Sequence, residues 1–163
     1  DLHTADFPDG AVRGQLFRTS NAGGADEGFP FAARVLSGAQ IYACTQQPGG
    51  TFAYTQHDVS AHLALGIEHS FVTAGAGPPQ WIAPDRSAVT GAVVSKTPHG
   101  DGNIAELDLT LTQTGTPRGL LAHAVEVERL NTVGGVAPTG SCDPATQPIA
   151  NVPYQADYLF ITN

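Results

Sequence analysis

Positive charge is scarce in this sequence. Its 163 residues hold 7 Lys and Arg against 15 Asp and Glu, a formal net charge of −8. A nucleic-acid binder needs a basic stripe to neutralise phosphates, so nucleic acid is not an expected partner. The same deficit argues against adhesion to anionic lipid. No apolar run reaches the roughly eighteen residues of a membrane-spanning helix, so no membrane insertion is expected. Charged residues of both signs make up only 13% of the chain, well under the roughly 25% of an average soluble domain. The apolar fraction of 41% is nonetheless too high for a disordered chain. Methionine is absent, and there are only one Trp and two Cys. Turn formers are plentiful instead: 19 Gly and 12 Pro account for about a fifth of the residues. The length fits one domain, at roughly 100–200 residues each.

The chain begins at Asp1 without an apolar leader, as expected of a mature segment whose leader has been removed. An even pair of cysteines, Cys44 and Cys142, fits one disulfide in an oxidising compartment. Two buried free thiols are the alternative. Both cysteines sit beside turn chemistry, Gln46-Gln47-Pro48-Gly49-Gly50 and Thr139-Gly140-Ser141. A bridge would tie the C-terminal third to the first strands and contribute at most about 4–5 kcal/mol through loop entropy.

Residues 1–34 are expected to be an irregular segment packed on a single β domain at 35–163. Within it, 21–28 reads as a loop and Phe29-Pro30-Phe31 as an apolar clip. From Val35 onward, strand patterns alternate with punctuation every eight to twelve residues. Candidate strands are 35–43, 51–55, 57–65, 68–72, 80–82, 88–96, 107–112, 121–129 and 154–161, with a bulge expected at Gly91. The period-two pattern is clearest where Leu107, Leu109 and Leu111 share a face, and where Tyr154, Ala156, Tyr158 and Phe160 do. Leu121, His123, Val125, Val127 and Arg129 are expected to share another. The fold class is therefore all-β: an antiparallel sandwich or barrel of about eight or nine strands with long Gly/Pro-rich loops.

Nucleophile motifs are missing: there is no G-x-S-x-G and no H-E-x-x-H. Gly75-Ala76-Gly77 runs into Pro78-Pro79, so no helix can start there to hold a dinucleotide. Histidine is the informative ligand type. His57, His62, His69 and His123 are the candidates for a copper or zinc site. His62 and His69 can meet only across a hairpin bending near Gly66. The plainer reading has each imidazole neutral, donating one N–H to a carbonyl. Glu126 and Glu128 form a carboxylate pair of the kind a glycosidase uses, or a solvated strand face. Asp101 and Asn103 lack the remaining positions of a calcium loop. Trp81, Tyr42, Tyr54, Tyr154 and Tyr158 are candidates to line a small-molecule or sugar groove, or to fill the core.

Several strings, read together, resemble a known family. They are Gly38-Ala39-Gln40-Ile41-Tyr42-Ala43-Cys44, His69-Ser70-Phe71, Gly77-Pro78-Pro79-Gln80-Trp81, Ser87-Ala88-Val89-Thr90-Gly91, the run from Arg129 to Pro138, Cys142-Asp143, and Val152 to Phe160. In this order, over 35–161, the chain resembles domain of unknown function 3455, a family of small, mostly secreted bacterial and fungal proteins. The resemblance implies a cysteine pair at Cys44 and Cys142 and a histidine at His69. It implies no activity. Some fungal relatives carry a malate dehydrogenase label that no residue pattern here supports. Residues 97–106 depart from the family pattern, and His57, His62 and His123 lie outside it.

Three functions follow as expectations. The first is a secreted or cell-envelope β domain, at an extracellular, periplasmic or cell-surface location. It would be a non-catalytic binding or scaffold module for an extracellular protein or small-molecule ligand, with loops 73–80 and 131–148 as contact surfaces. The second is an extracytoplasmic copper protein resembling copper-only superoxide dismutase. Arg129 would draw in the anion, although a net charge of −8 gives no long-range steering. The third is a carbohydrate-active hydrolase.

Overall fold

A computed structural model describes residues 2–4, 7–12 and 29–163. Two short strands, β1 (Leu2–Thr4) and β2 (Phe7–Val12), pair antiparallel with each other. The expected loop at 21–28 lies outside the described residues. The chain then forms eight strands: β3 (Phe31–Gln46), β4 (Phe52–Leu63), β5 (Glu68–Phe71), β6 (Pro79–Ile82), β7 (Ala88–Thr97), β8 (Glu106–Gln113), β9 (Ala124–Gly134) and β10 (Ile149–Thr162). Each pairs antiparallel with the next, and β10 returns to β3, closing an up-and-down barrel. Of sandwich and barrel, the fold is the barrel. Full closure leaves no free sheet edge among these strands. No helix among the described residues is long and apolar enough to cross a membrane.

The alternation seen in the sequence sets the inner face. Leu109 on β8 and Tyr154, Ala156, Tyr158 and Phe160 on β10 are all buried. Strand bounds shift from expectation in two places. The first barrel strand starts at Phe31, whose ring stacks on Phe160 at 5.0 Å, so the boundary expected at residue 35 falls inside β3. The segments 51–55 and 57–65 are one strand, β4, whose pairing with β3 skips His57 between Gln56 and Asp58. The bulge expected at Gly91 lies instead at Val94, which the pairing of β7 with β8 skips. Gly91 stands in regular register opposite Leu111.

The two ends of the barrel differ. Three connections, at 64–67, 83–87 and 114–123, close one end, where Ile67, Ala83, Ser87 and Leu121 are buried. Asp85 organises this seal. Its Oδ1 accepts from the Ser87 N–H at 2.9 Å and hydroxyl at 2.6 Å, and its Oδ2 from the Leu120 N–H at 2.7 Å. The Ser87 hydroxyl in turn accepts from the Leu121 N–H at 2.9 Å. At the other end stand the β3–β4, β5–β6, β7–β8 and β9–β10 loops. A disulfide joins Cys44 at the end of β3 to Cys142 in the β9–β10 loop, with Cα atoms 5.9 Å apart. The Cys142 N–H also reaches the Phe52 carbonyl at 3.4 Å. The long return loop is thereby held against β3 and β4, as expected of the bridge.

Candidate functional site

The loop end of the barrel encloses a cavity of about 630 Å³. Its floor is aromatic. His69 on β5 and Trp81 on β6 are direct register partners on the inner face, so their rings stack, with centroids 4.5 Å apart and planes 3° from parallel. From across the barrel Tyr158 meets both edge-on, at 5.3 Å and 5.7 Å. Gly91 makes room for the indole: a Cβ there would stand 3.0 Å from Trp81 Cζ3 and 3.0 Å from Leu109 Cδ2. Gln40, Tyr42, Gln56, Leu107 and Arg129 form the walls. Lys96, Pro98, His99, Asn103 and Val136, from the β7–β8 and β9–β10 segments, form the rim.

Hydrogen bonding fixes most of this lining. His69 Nδ1 is 2.8 Å from the Gln80 carbonyl, so it carries the proton and donates. Burial drives the His69 pKa down to about 4, against the opposing hydrogen bond to Gln80. The Tyr42 hydroxyl donates to the Gly135 carbonyl and pins the return loop to the wall. Tyr154 and Tyr158 join hydroxyl to hydroxyl at 3.2 Å, and burial raises the pKa of both. Arg129 donates to the Ala105 carbonyl from Nε at 3.2 Å and Nη2 at 2.8 Å, and its positive charge opposes the rise of the Tyr158 pKa. No carboxylate pairs with it among the described residues. Two buried donors of the lining have no partner among the described residues: Gln40 Nε2, whose own Oε1 accepts from Gln56 at 3.1 Å, and Trp81 Nε1.

Of the binding candidates, Trp81, Arg129 and Tyr158 line this cavity, and Tyr154 lies behind Tyr158, bonded to it. Tyr42 lines it too. Tyr54 points to the return loop, bonding the Gln147 carbonyl at 3.1 Å. Of the expected contact loops, Pro79 marks the end of 73–80, and Val136 and Ala137 belong to 131–148.

The four candidate metal histidines are not brought together. The hairpin near Gly66 forms, but its register sets His62 opposite Glu68 and Ala61 opposite His69, so the two imidazoles face opposite sides. His62 meets Glu68 outside the barrel at 2.6 Å. His57 sits at the β4 bulge beneath Gly75. His123 lies in the turn before β9 at the sealed end, off the strand face it was expected to share. Among the described residues no three His, Cys, Asp or Glu side chains converge as a metal site would require. Glu126 and Glu128 flank the inward Val127 and face outward beside Asp108. Burial, then Asp108 and Glu128, raise the Glu126 pKa. Neither glutamate lines the cavity.

The model of the family described as "Protein of unknown function (DUF3455)" matches residues 52–162. The chain belongs to this family. The match spans β4 to β10, and so takes in the aromatic floor, Arg129 and Cys142. No curated protein and no solved structure matches the chain.

Gln40, Gln56 and Lys96 escaped the reading of the sequence as site residues. A signal for the first was present. Gln40 and Tyr42 alternate on a long strand, which puts the polar side chain on the same face as an aromatic one.

Proposed function

We propose that this protein is a secreted or cell-envelope binding module that carries a small, largely apolar molecule in the mouth of its barrel, without catalysis. The cavity carries this reading. Its volume of about 630 Å³ lies within the roughly 300–1,000 Å³ of small-ligand pockets. Eight strands are just enough to enclose one small ligand when the interior is not filled by side chains. Here one half is filled and the other is not. The lining is mainly aromatic and aliphatic, with a few fixed polar groups. Among the described residues no Ser, Thr, Cys, Asp or Glu lines the cavity, so it offers no serine, threonine or cysteine nucleophile and no carboxylate base, and the hydroxyls of Tyr42 and Tyr158 are already hydrogen-bonded. The disulfide supports an oxidising compartment. The copper reading draws no support from four dispersed histidines, nor the hydrolase reading from two outward-facing glutamates.

Trp81 is the sole tryptophan and lies in the cavity floor, so it reports occupancy directly. Titration with the neutral probe N-phenyl-1-naphthylamine should give saturable one-site binding with energy transfer from Trp81. A linear, non-saturating response would sink the carrier reading.

A further inference from the structure

The cavity's polar groups are unbalanced. The protein as a whole carries a net charge of −8, yet among the described residues the formally charged side chains lining the cavity are Arg129 and Lys96, both cationic. Arg129 has no carboxylate partner among the described residues. Gln40 and Trp81 are 4% and 1% exposed, and Gln40 Nε2 and Trp81 Nε1 each lack an acceptor among the described residues. A buried donor without a partner costs free energy, typically about 1–3 kcal/mol. A bound anionic group would neutralise the guanidinium, and a turn of the Gln40 side chain, which lines the same cavity, would bring its unpaired amide to that group as well. From this we infer that the ligand is an amphipathic organic monoanion: a carboxylate received by Arg129, attached to an apolar body held between Tyr42, Leu107 and the aromatic floor.

This inference rests on the carrier reading and narrows it. A guanidinium that already spends two N–H groups on the Ala105 carbonyl is held in place before the ligand arrives, which limits the ordering cost of binding. A carboxylate accepts at two oxygens, so it can meet the guanidinium and a neutral donor together. A neutral alcohol of the same body has one oxygen and no charge.

The test is a matched series read by Trp81 fluorescence and calorimetry: decanoate against decanol, and 4-cyclohexylbutyrate against 4-cyclohexylbutanol. The acids should bind about tenfold or more tightly than the alcohols, the increment of one charge-assisted hydrogen bond. Arg129→Gln should abolish that preference, so that acid and alcohol bind this variant within about twofold of each other. Arg129→Lys should retain part of it. Lys96→Gln at the exposed rim, which leaves the interior untouched, should weaken acid binding less than Arg129→Gln does. Equal binding of acid and alcohol by the wild type would overturn the anion assignment and leave the carrier reading standing. So would a preference that survives Arg129→Gln in a folded variant. Absence of saturable binding by both members of both pairs would overturn the carrier reading and the inference with it.

Discussion

His69 lies flat on Trp81, their ring centroids 4.5 Å apart, while its Nδ1–H is held by the Gln80 carbonyl. Burial in the cavity floor, where His69 is 4% exposed, leaves little water to solvate a charge and keeps the stacked imidazole neutral. The pKa of His69 is accordingly lowered from 6.5 to about 4. In the unfolded chain the imidazole takes up its proton near the ordinary value, and in the barrel it does not. The unfolded state therefore binds more protons between these values, and stability falls as pH drops from about 6.5 towards 4. The difference corresponds to about 3 kcal/mol over the whole window. Urea denaturation between pH 7 and pH 4.5 measures it. His69→Gln should lower stability at pH 7 but flatten this slope. Equal slopes for both proteins would refute the neutral stacked histidine.

Asp85 governs a different, more acidic window. Its carboxylate accepts three hydrogen bonds at the sealed end, and the Ser87 hydroxyl is first among the causes that hold its pKa below the usual range. This stability is present above the ordinary carboxylate pKa near 4 and is lost as pH falls through the lower folded value. Asp85→Ala leaves the fully buried Ser87 hydroxyl without its acceptor, at a cost of about 1–3 kcal/mol. Thermal melts at pH 7 should show a loss of several degrees, at roughly 2–4 °C per kcal/mol for a chain of this size. Cavity binding should survive, because the seal and the mouth are at opposite ends. Loss of ligand binding in a folded Asp85→Ala protein would contradict that separation.

How much of this was legible in the sequence depends on whether a strand is regular. On β10, where Tyr154, Ala156, Tyr158 and Phe160 alternate without interruption, the inward face is written in the residue order. Bulges break that code, because one extra residue reverses inward and outward beyond it. The pairing of β9 with β10 skips Val125, so Val125 is exposed and His123 falls in a turn, although spacing alone groups both with Val127. The same effect at His57 hid the continuity of β4. Closure is equally non-local: it depends on β10 reaching β3 across more than a hundred residues, and no short pattern encodes that. The aromatic floor could be named residue by residue, as Trp81 and Tyr158 were. The unpaired donors could not, since a missing partner is a property of the assembled barrel.

The Cys44–Cys142 bridge spans 98 residues of sequence and fastens the return loop whose Val136 and Ala137 line the cavity. Its removal should therefore act on stability and on the mouth together. Cys44→Ser with Cys142→Ser should cost about 2–5 kcal/mol. Limited proteolysis should find new cleavage within 138–148, where most residues are exposed. The Tyr42 hydroxyl still holds Gly135 in the double variant, so the loop should loosen from Pro138 onward while 131–135 keeps its protection in hydrogen exchange. Uniform loss of protection across β9 would show that the bridge holds the barrel closed rather than the loop alone.

Gly91 offers the most direct check on the floor itself. It stands in regular register with a backbone that other residues could adopt, so its lack of a side chain answers a packing demand and not a conformational one. A methyl group there would press on Trp81 and Leu109, each 3.0 Å from the new Cβ. Both neighbours are buried to within 2%, so the indole can yield only upward, into the cavity. Gly91→Ala should destabilise the protein by about 1–3 kcal/mol, the usual cost of overpacking. It should also change the emission of the single tryptophan and weaken binding of bulky cavity probes more than slender ones. Gly91→Ala melts together with Trp81 spectra test both effects. A variant with wild-type stability and unshifted Trp81 emission would mean that the ring does not rest on Gly91, and the described floor would be wrong at its centre.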